Sequence, residues 1–72
     1  MQTESAIVER LIRINEVLRI CGLSRSSLYA NIQRGDFPAQ VKLSSKASAW
    51  LYSEVSAWVT ARAAERFRKG ES

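Results

Sequence analysis

Two helix stops, Gly22 and Gly35, divide the first half of this chain into short pieces. Gly22 can take the positive φ that ends a helix. Gly35 repeats that signal just before Phe37-Pro38, where the proline bars its predecessor from helical geometry. Anything helical before Pro38 is therefore short. Asn15 is the expected N-cap of a first helix, with Glu16 where the helix dipole favours negative charge. Val17, Leu18, Ile20 and Cys21 give that helix an apolar stripe of about two turns. Leu23-Ser24 restarts the chain, with Ser24 as N-cap and Leu23 able to staple onto Leu28. Leu28 and Ile32 lie four apart and face a core, while Arg25, Ser26, Tyr29, Ala30 and Gln33 fall on other faces.

The flanks add a small sheet and a third helix. Arg10 to Ile14 reads as a short extended lead-in. Gln40-Val41-Lys42-Leu43 alternates with the period of a half-buried strand. Ser44-Ser45-Lys46 makes a polar turn, and Ala47 to Leu51 returns as the second strand of a hairpin anchored by Trp50. Ser53 is the expected cap of the last helix, Glu54 lies in its first turn, Arg66, Arg68 and Lys69 lie near its end, and Gly70 closes it. Val55, Trp58, Val59 and Arg62 mark one face, which favours core packing of Trp58 over a stacking platform for single-stranded nucleic acid. The expected fold is mainly α with a small β-hairpin, a winged helix-turn-helix of three helices plus wing. Residues 1–9 are expected to be a flexible segment, 10–69 one domain and 70–72 a tail. A chain of 72 residues has room for one small core, and its stability margin is thin.

Charge is unevenly spread. Residues 10–46 hold seven basic side chains against Glu16 and Asp36, whereas residues 1–9 hold only the acidic Glu4 and Glu9. A basic stretch of this kind suits a polyanion. Chemistry has few parts to work with: there is no histidine, one cysteine and no clustered carboxylate pair. No glycine-rich phosphate loop occurs. Neither an enzyme, a cofactor, a metal site nor a small-molecule ligand is expected. The lone Cys21 argues against a disulfide scaffold, and the apolar runs are far shorter than a membrane span. With no signal-peptide pattern at the N-terminus, the expected location is the cytoplasm.

Two short helices around a glycine turn, the second rich in Ser, Arg, Tyr and Asn, form a helix-turn-helix pattern. Such a second helix buries one face and offers small and polar side chains to the DNA major groove. Arg25 and Arg34 suit phosphates or guanine edges, and Asn31 suits adenine. Ser26, Ser27 and Tyr29 can bond phosphate oxygens, Ala30 permits close approach, and the helix start at Ser24 offers backbone N–H groups. Lys42, Ser44, Ser45 and Lys46 place charge and hydroxyls on the hairpin.

Arg10-Leu11-Ile12-Arg13-Ile14-Asn15-Glu16-Val17-Leu18, Gly22-Leu23-Ser24-Arg25-Ser26-Ser27-Leu28-Tyr29, Gly35-Asp36-Phe37-Pro38, Val41-Lys42-Leu43, Trp50 and Glu54-Val55-Ser56-Ala57-Trp58 together resemble the AlpA family. These are small regulators of prophages and genomic islands, related to excisionases and to MerR-like winged helices. The resemblance spans about residues 9–63. It implies a sequence-specific, DNA-binding transcriptional regulator of a mobile element, with Ser24–Arg34 as recognition helix in the major groove. The hairpin Gln40–Leu51 would be the wing on the backbone or minor groove. Family wings often carry glycine in the turn and before the tryptophan, where this chain has Ser44, Ser45 and Ala49. Ala30-Asn31 replaces a pair that is frequently more basic or bulky.

The partner implied is double-stranded DNA. A homodimer or cooperative array on DNA is a further expectation, with Ala57, Ala61, Ala64 and Phe67 facing a second subunit. An excisionase that bends attachment-site DNA would use the same helix and wing. An adaptor whose basic face meets an acidic protein is the alternative outside DNA binding.

Overall fold

The structure, a computed structural model, describes residues 9–71, with side chains as far as Arg66. Its elements are β1 (Leu11–Ile12), α1 (Ile14–Cys21), α2 (Arg25–Gln33), β2 (Val41–Ser44), β3 (Ala47–Leu51) and α3 (Tyr52–Glu71). Three helices stand with a three-stranded antiparallel sheet of order β1-β3-β2, the architecture of a winged helix-turn-helix. Of the segment expected to be flexible, residues 1–8 lie outside the described residues, as does Ser72 of the expected tail.

The core takes one deeply buried side chain from almost every part of the chain. Ile12 of β1, Val17 of α1, Leu28 of α2, Phe37 of the following loop, Trp50 of β3 and Val55 of α3 form a single cluster. Ile14, Leu18, Ile20, Cys21, Leu23, Ile32 and Trp58 pack around it, each partly buried. In β2, by contrast, every residue is exposed, so its alternation of polar and apolar residues does not mark a half-buried strand. The strand is a sheet edge.

Helix starts follow tertiary constraints. Pairing of Ile12 with Trp50 holds β1 in register, and α1 begins two residues later. Its N-cap is therefore Arg13, not Asn15. Arg13 is extended (φ −93°, ψ 170°), and its carbonyl accepts from the N–H groups of Glu16 and Val17, both at 3.0 Å. That start buries Val17 completely and leaves Asn15 exposed. Gly22 ends the helix with φ 78°, as its sequence position suggests.

The start of α3 shows the same effect. β3 runs to Leu51, and the Tyr52 N–H donates to the Arg10 carbonyl at 2.7 Å, so the helix opens without a linker. Ser53 lies inside the first turn instead of capping it. Its hydroxyl donates to the Glu9 carboxylate (2.8 and 3.0 Å), while the Arg10 guanidinium sits 4.8 Å from the Tyr52 ring centre. At the other end α3 continues to Glu71, past Gly70.

Trp58 occupies the margin of the core. Its indole N–H donates to the Asp36 carbonyl at 2.7 Å, Phe37 packs on it with ring centres 4.9 Å apart, and Arg62 covers it at 4.8 Å. These contacts tie α3 to the loop that follows α2. Ala57, Ala61 and Ala64 are exposed, and the side chain of Phe67 lies outside the described residues.

The deeper tryptophan is the one the fold depends on. Trp50 is 1% exposed, and its Nε1 finds no hydrogen-bond partner among the described residues. Trp50→Ala is expected to cost about 3–5 kcal/mol, enough to unfold much of so small a domain. Trp50→Phe, which removes the unbonded N–H along with less volume, is expected to cost clearly less. Urea denaturation followed by circular dichroism measures both; equal losses would refute this account of Trp50.

Candidate nucleic-acid interface

Helix α2 is fixed at its start by Ser24. The Ser24 side chain accepts from the Ser27 N–H at 3.1 Å, and its carbonyl accepts from the Leu28 N–H at 2.9 Å. Ser24 itself is extended (φ −78°, ψ 164°), the N-cap conformation. Leu28 then buries fully, and Ile32 one turn on packs against the same cluster. Tyr29 leans on the sheet, its ring 6.4 Å from that of Trp50, yet stays 38% exposed. That contact joins the helix to the base of the hairpin.

The opposite side of α2 is open. Ser26, Ala30 and Gln33, spaced four and three apart, form its outermost stripe, and all three are exposed. Arg25 and Tyr29 flank this stripe on one side, Ser27 and Arg34 on the other. The centre of the face is thus small and polar, with larger side chains at its edges. Such a surface admits close approach of another molecule along the helix axis.

One expected base reader is placed differently. Asn31 is only 8% exposed, because it lies three residues beyond Leu28 and one before Ile32, on the core side. Both ends of its amide are engaged: Nδ2 donates to the Ser27 carbonyl at 2.9 Å, and Oδ1 accepts from Arg34 Nη2 at 2.6 Å. Arg34 Nε in turn donates to Asp36 Oδ2 at 3.2 Å. The structure therefore brings Ser24, Arg25, Ser26, Ser27, Tyr29, Ala30 and Arg34 to the accessible surface of the helix and turns Asn31 inward. Gln33 is the exposed polar residue that the sequence reading left out of its candidates. Its spacing from Ser26 and Ala30 was the available signal.

The hairpin carries the second group. Lys42, Ser44, Ser45 and Lys46 are all exposed. Ser45 and Lys46 form a two-residue turn, and Lys46 N–H donates to the Ser44 hydroxyl at 3.2 Å. Tight two-residue hairpins ordinarily use turns that need positive φ. Among the described residues no side-chain-bearing residue adopts one. The pairing accommodates this by shifting register between Lys42 and Ser44: Lys42 faces Ser48, but Ser44 faces Ala47, leaving Leu43 as the extra residue. Neither Arg25, Lys42 nor Lys46 makes an ion pair with another described residue.

No group of side chains suited to hold a metal ion occurs among the described residues, and no described helix is long and apolar enough to cross a membrane. The family model described as prophage CP4-57 regulatory protein (AlpA) matches residues 10–63. The chain belongs to the AlpA family. The match runs from the residue before β1 to the middle of α3, so both helices of the helix-turn-helix and the whole hairpin belong to the AlpA region. The chain is also similar to a protein of Enterobacteria phage P4, the uncharacterized protein ORF88. The two are 53% identical over 60 residues, which is 83% of this chain and 68% of the phage protein. This AlpA-family chain is thus a phage-related regulator.

If Ser24 sets the start of α2, Ser24→Ala is expected to cost about 0.5–2 kcal/mol and Ser24→Gly only a few tenths. Thermal unfolding of the two variants separates them; indistinguishable losses would show that the cap does not fix the helix.

Proposed function

We propose that this AlpA-family chain is a sequence-specific DNA-binding transcriptional regulator of a mobile element. In this reading α2 enters the major groove and the β2–β3 hairpin meets the backbone or adjacent minor groove. The observation that carries it is the open stripe Ser26–Ala30–Gln33 on a helix capped by Ser24 and anchored by Leu28. A narrow, small-residue face can approach base edges without a steric block. Exposed Lys42 and Lys46, unpaired with other described residues, supply charge for phosphates. The family match supports the regulatory role.

Within the face, roles follow from exposure. Gln33 takes the adenine-reading part that sequence alone gave to Asn31, because its amide is exposed. Arg25 and Ser26, at the helix start, lie where recognition helices meet base edges. Ser24, Ser27, Tyr29, Ser44, Ser45, Lys42 and Lys46 address the backbone. Assembly of several copies along DNA is part of the same proposal, since single small modules gain affinity by acting together.

Selection of bound sequences from a random duplex pool, followed by salt titration, tests this reading. An enriched motif with steep salt dependence supports it; salt-sensitive binding without a motif favours an architectural, excisionase-like role. Failure to bind any duplex refutes DNA binding and leaves the protein adaptor. On the selected site, Gln33→Ala is expected to cost about 1–3 kcal/mol and relax preference at one position. Lys46→Ala is expected to weaken all sequences alike and to reduce the salt slope by about one.

A further inference from the structure

We infer that Asn31 is a positioning residue, which holds the Arg34 guanidinium ready for a DNA phosphate at the C-terminal end of α2. This rests on the DNA-binding reading above. Asn31 is the polar side chain buried among the described residues, and burial of an amide is unfavourable unless its bonds are made. Here they are made in a directed way. Nδ2 is tied to the Ser27 carbonyl of its own helix, which fixes the orientation of the amide, and Oδ1 is thereby aimed at Arg34 Nη2, 2.6 Å away.

The backbone beyond α2 completes the arrangement. Gly35 adopts φ 82°, and the Asp36 N–H returns to the Asn31 carbonyl at 2.8 Å. That turn brings the Asp36 carboxylate to Arg34 Nε, at 3.2 Å. Arg34 is thus held by two acceptors, while its Nη1 group and the second Nη2 hydrogen have no partner among the described residues. The Arg34 side chain as a whole remains substantially exposed, at 59% of its surface.

An arginine on a protein surface loses much rotamer freedom when it binds a phosphate. One already held in place loses less, and the difference goes into affinity. Asn31 is suited to this task because it is uncharged: it orients the cation without neutralising it. The carboxylate of Asp36 is exposed, and an exposed pair of this kind is weak in water. The assignment to phosphate follows from position. Arg34 flanks the Ser26–Ala30–Gln33 stripe that would face base edges instead of lying on it, and a side chain at the margin of a recognition helix meets the backbone beside the groove.

The test is a double-mutant cycle of Asn31→Ala and Arg34→Ala on the full chain. It reads affinity for random-sequence duplex DNA across a salt series, with thermal unfolding of each protein alongside. Asn31→Ala and Arg34→Ala are each expected to weaken binding about tenfold, and the double variant no more than Arg34→Ala alone. Arg34→Ala is also expected to lower the salt slope by about one. Arg34→Lys keeps the charge but cannot engage both acceptors through a planar fork; it is expected to lose several-fold. Since Arg34 is exposed, that variant carries the test even if Asn31→Ala fails to fold.

Equal losses from Asn31→Ala with Arg34 present and absent overturn the inference, as does unchanged affinity in Arg34→Lys. A loss confined to a selected sequence, with the salt slope unaltered, assigns Arg34 to a guanine edge and overturns the phosphate. In each of these cases the DNA-binding reading survives. Absence of duplex binding by the unaltered chain removes both.

Discussion

Burial of Trp50 on the middle strand is the constraint from which the rest of this small fold follows. β3 is hydrogen-bonded to β1 on one side and β2 on the other, so the residue opposite Trp50 is Ile12, and both are almost wholly buried. A slip of one residue would move Trp50 to the opposite face of the sheet, away from the core cluster. Fixing that register fixes much else. α1 begins two residues after Ile12, α3 begins directly after Leu51, and Tyr29 of α2 packs toward the Trp50 ring. The hairpin and the exposed helix are therefore joined at one buried side chain, so that the spacing between them is set by packing and not by loop length.

The core has little redundancy. α2 contributes Leu28 in full and Ile32 in part, and most of its other side chains are exposed. A nine-residue helix is marginal in water without tertiary support. Local bonds at both ends supplement what the core supplies: the Ser24 cap at the start, and the Asn31–Arg34–Asp36 group at the finish. The scarcity of buried residues that makes α2 dependent on these bonds also leaves a nearly continuous face available to a partner. Its stability and its accessibility are two consequences of the same sequence.

The signals legible in the sequence were those acting over a few residues. Gly22, Gly35 and Pro38 bounded two short helices, Ser24 capped the second, and Leu28 and Trp50 stood out as core. The positions misjudged were set by distant parts of the chain. Asn15 has the better capping chemistry, but pairing of β1 with β3 starts the helix at Arg13. Ser53 looked like a cap until Tyr52 bonded to Arg10 and drew the helix start forward. Asn31 is a different case. Its spacing from Leu28 placed it on the core side, yet its polar identity drew it into the candidate interface, and the partner that lets it stay buried is Arg34. Helical spacing was the better guide to the exposure of both Asn31 and Gln33.

The wing shows how one set of residues can answer two physical demands. Without glycine, the Ser45-Lys46 turn leaves an extra residue at Leu43, and β2 forms an irregular edge with Val41 and Leu43 exposed. An exposed apolar edge strand invites pairing with another sheet. A bulge and flanking lysines oppose that pairing, the first by bending the edge and the second by charge repulsion and desolvation cost. Lys42 and Lys46 are the same side chains that give the hairpin its positive charge. Replacing the Ser45-Lys46 turn with glycine-rich geometry would regularise the strand pairing, but it would also remove the distortion that helps keep the edge solitary. On this argument the departure from a glycine-bearing wing is compensated within the hairpin itself, which is why it leaves the rest of the fold intact.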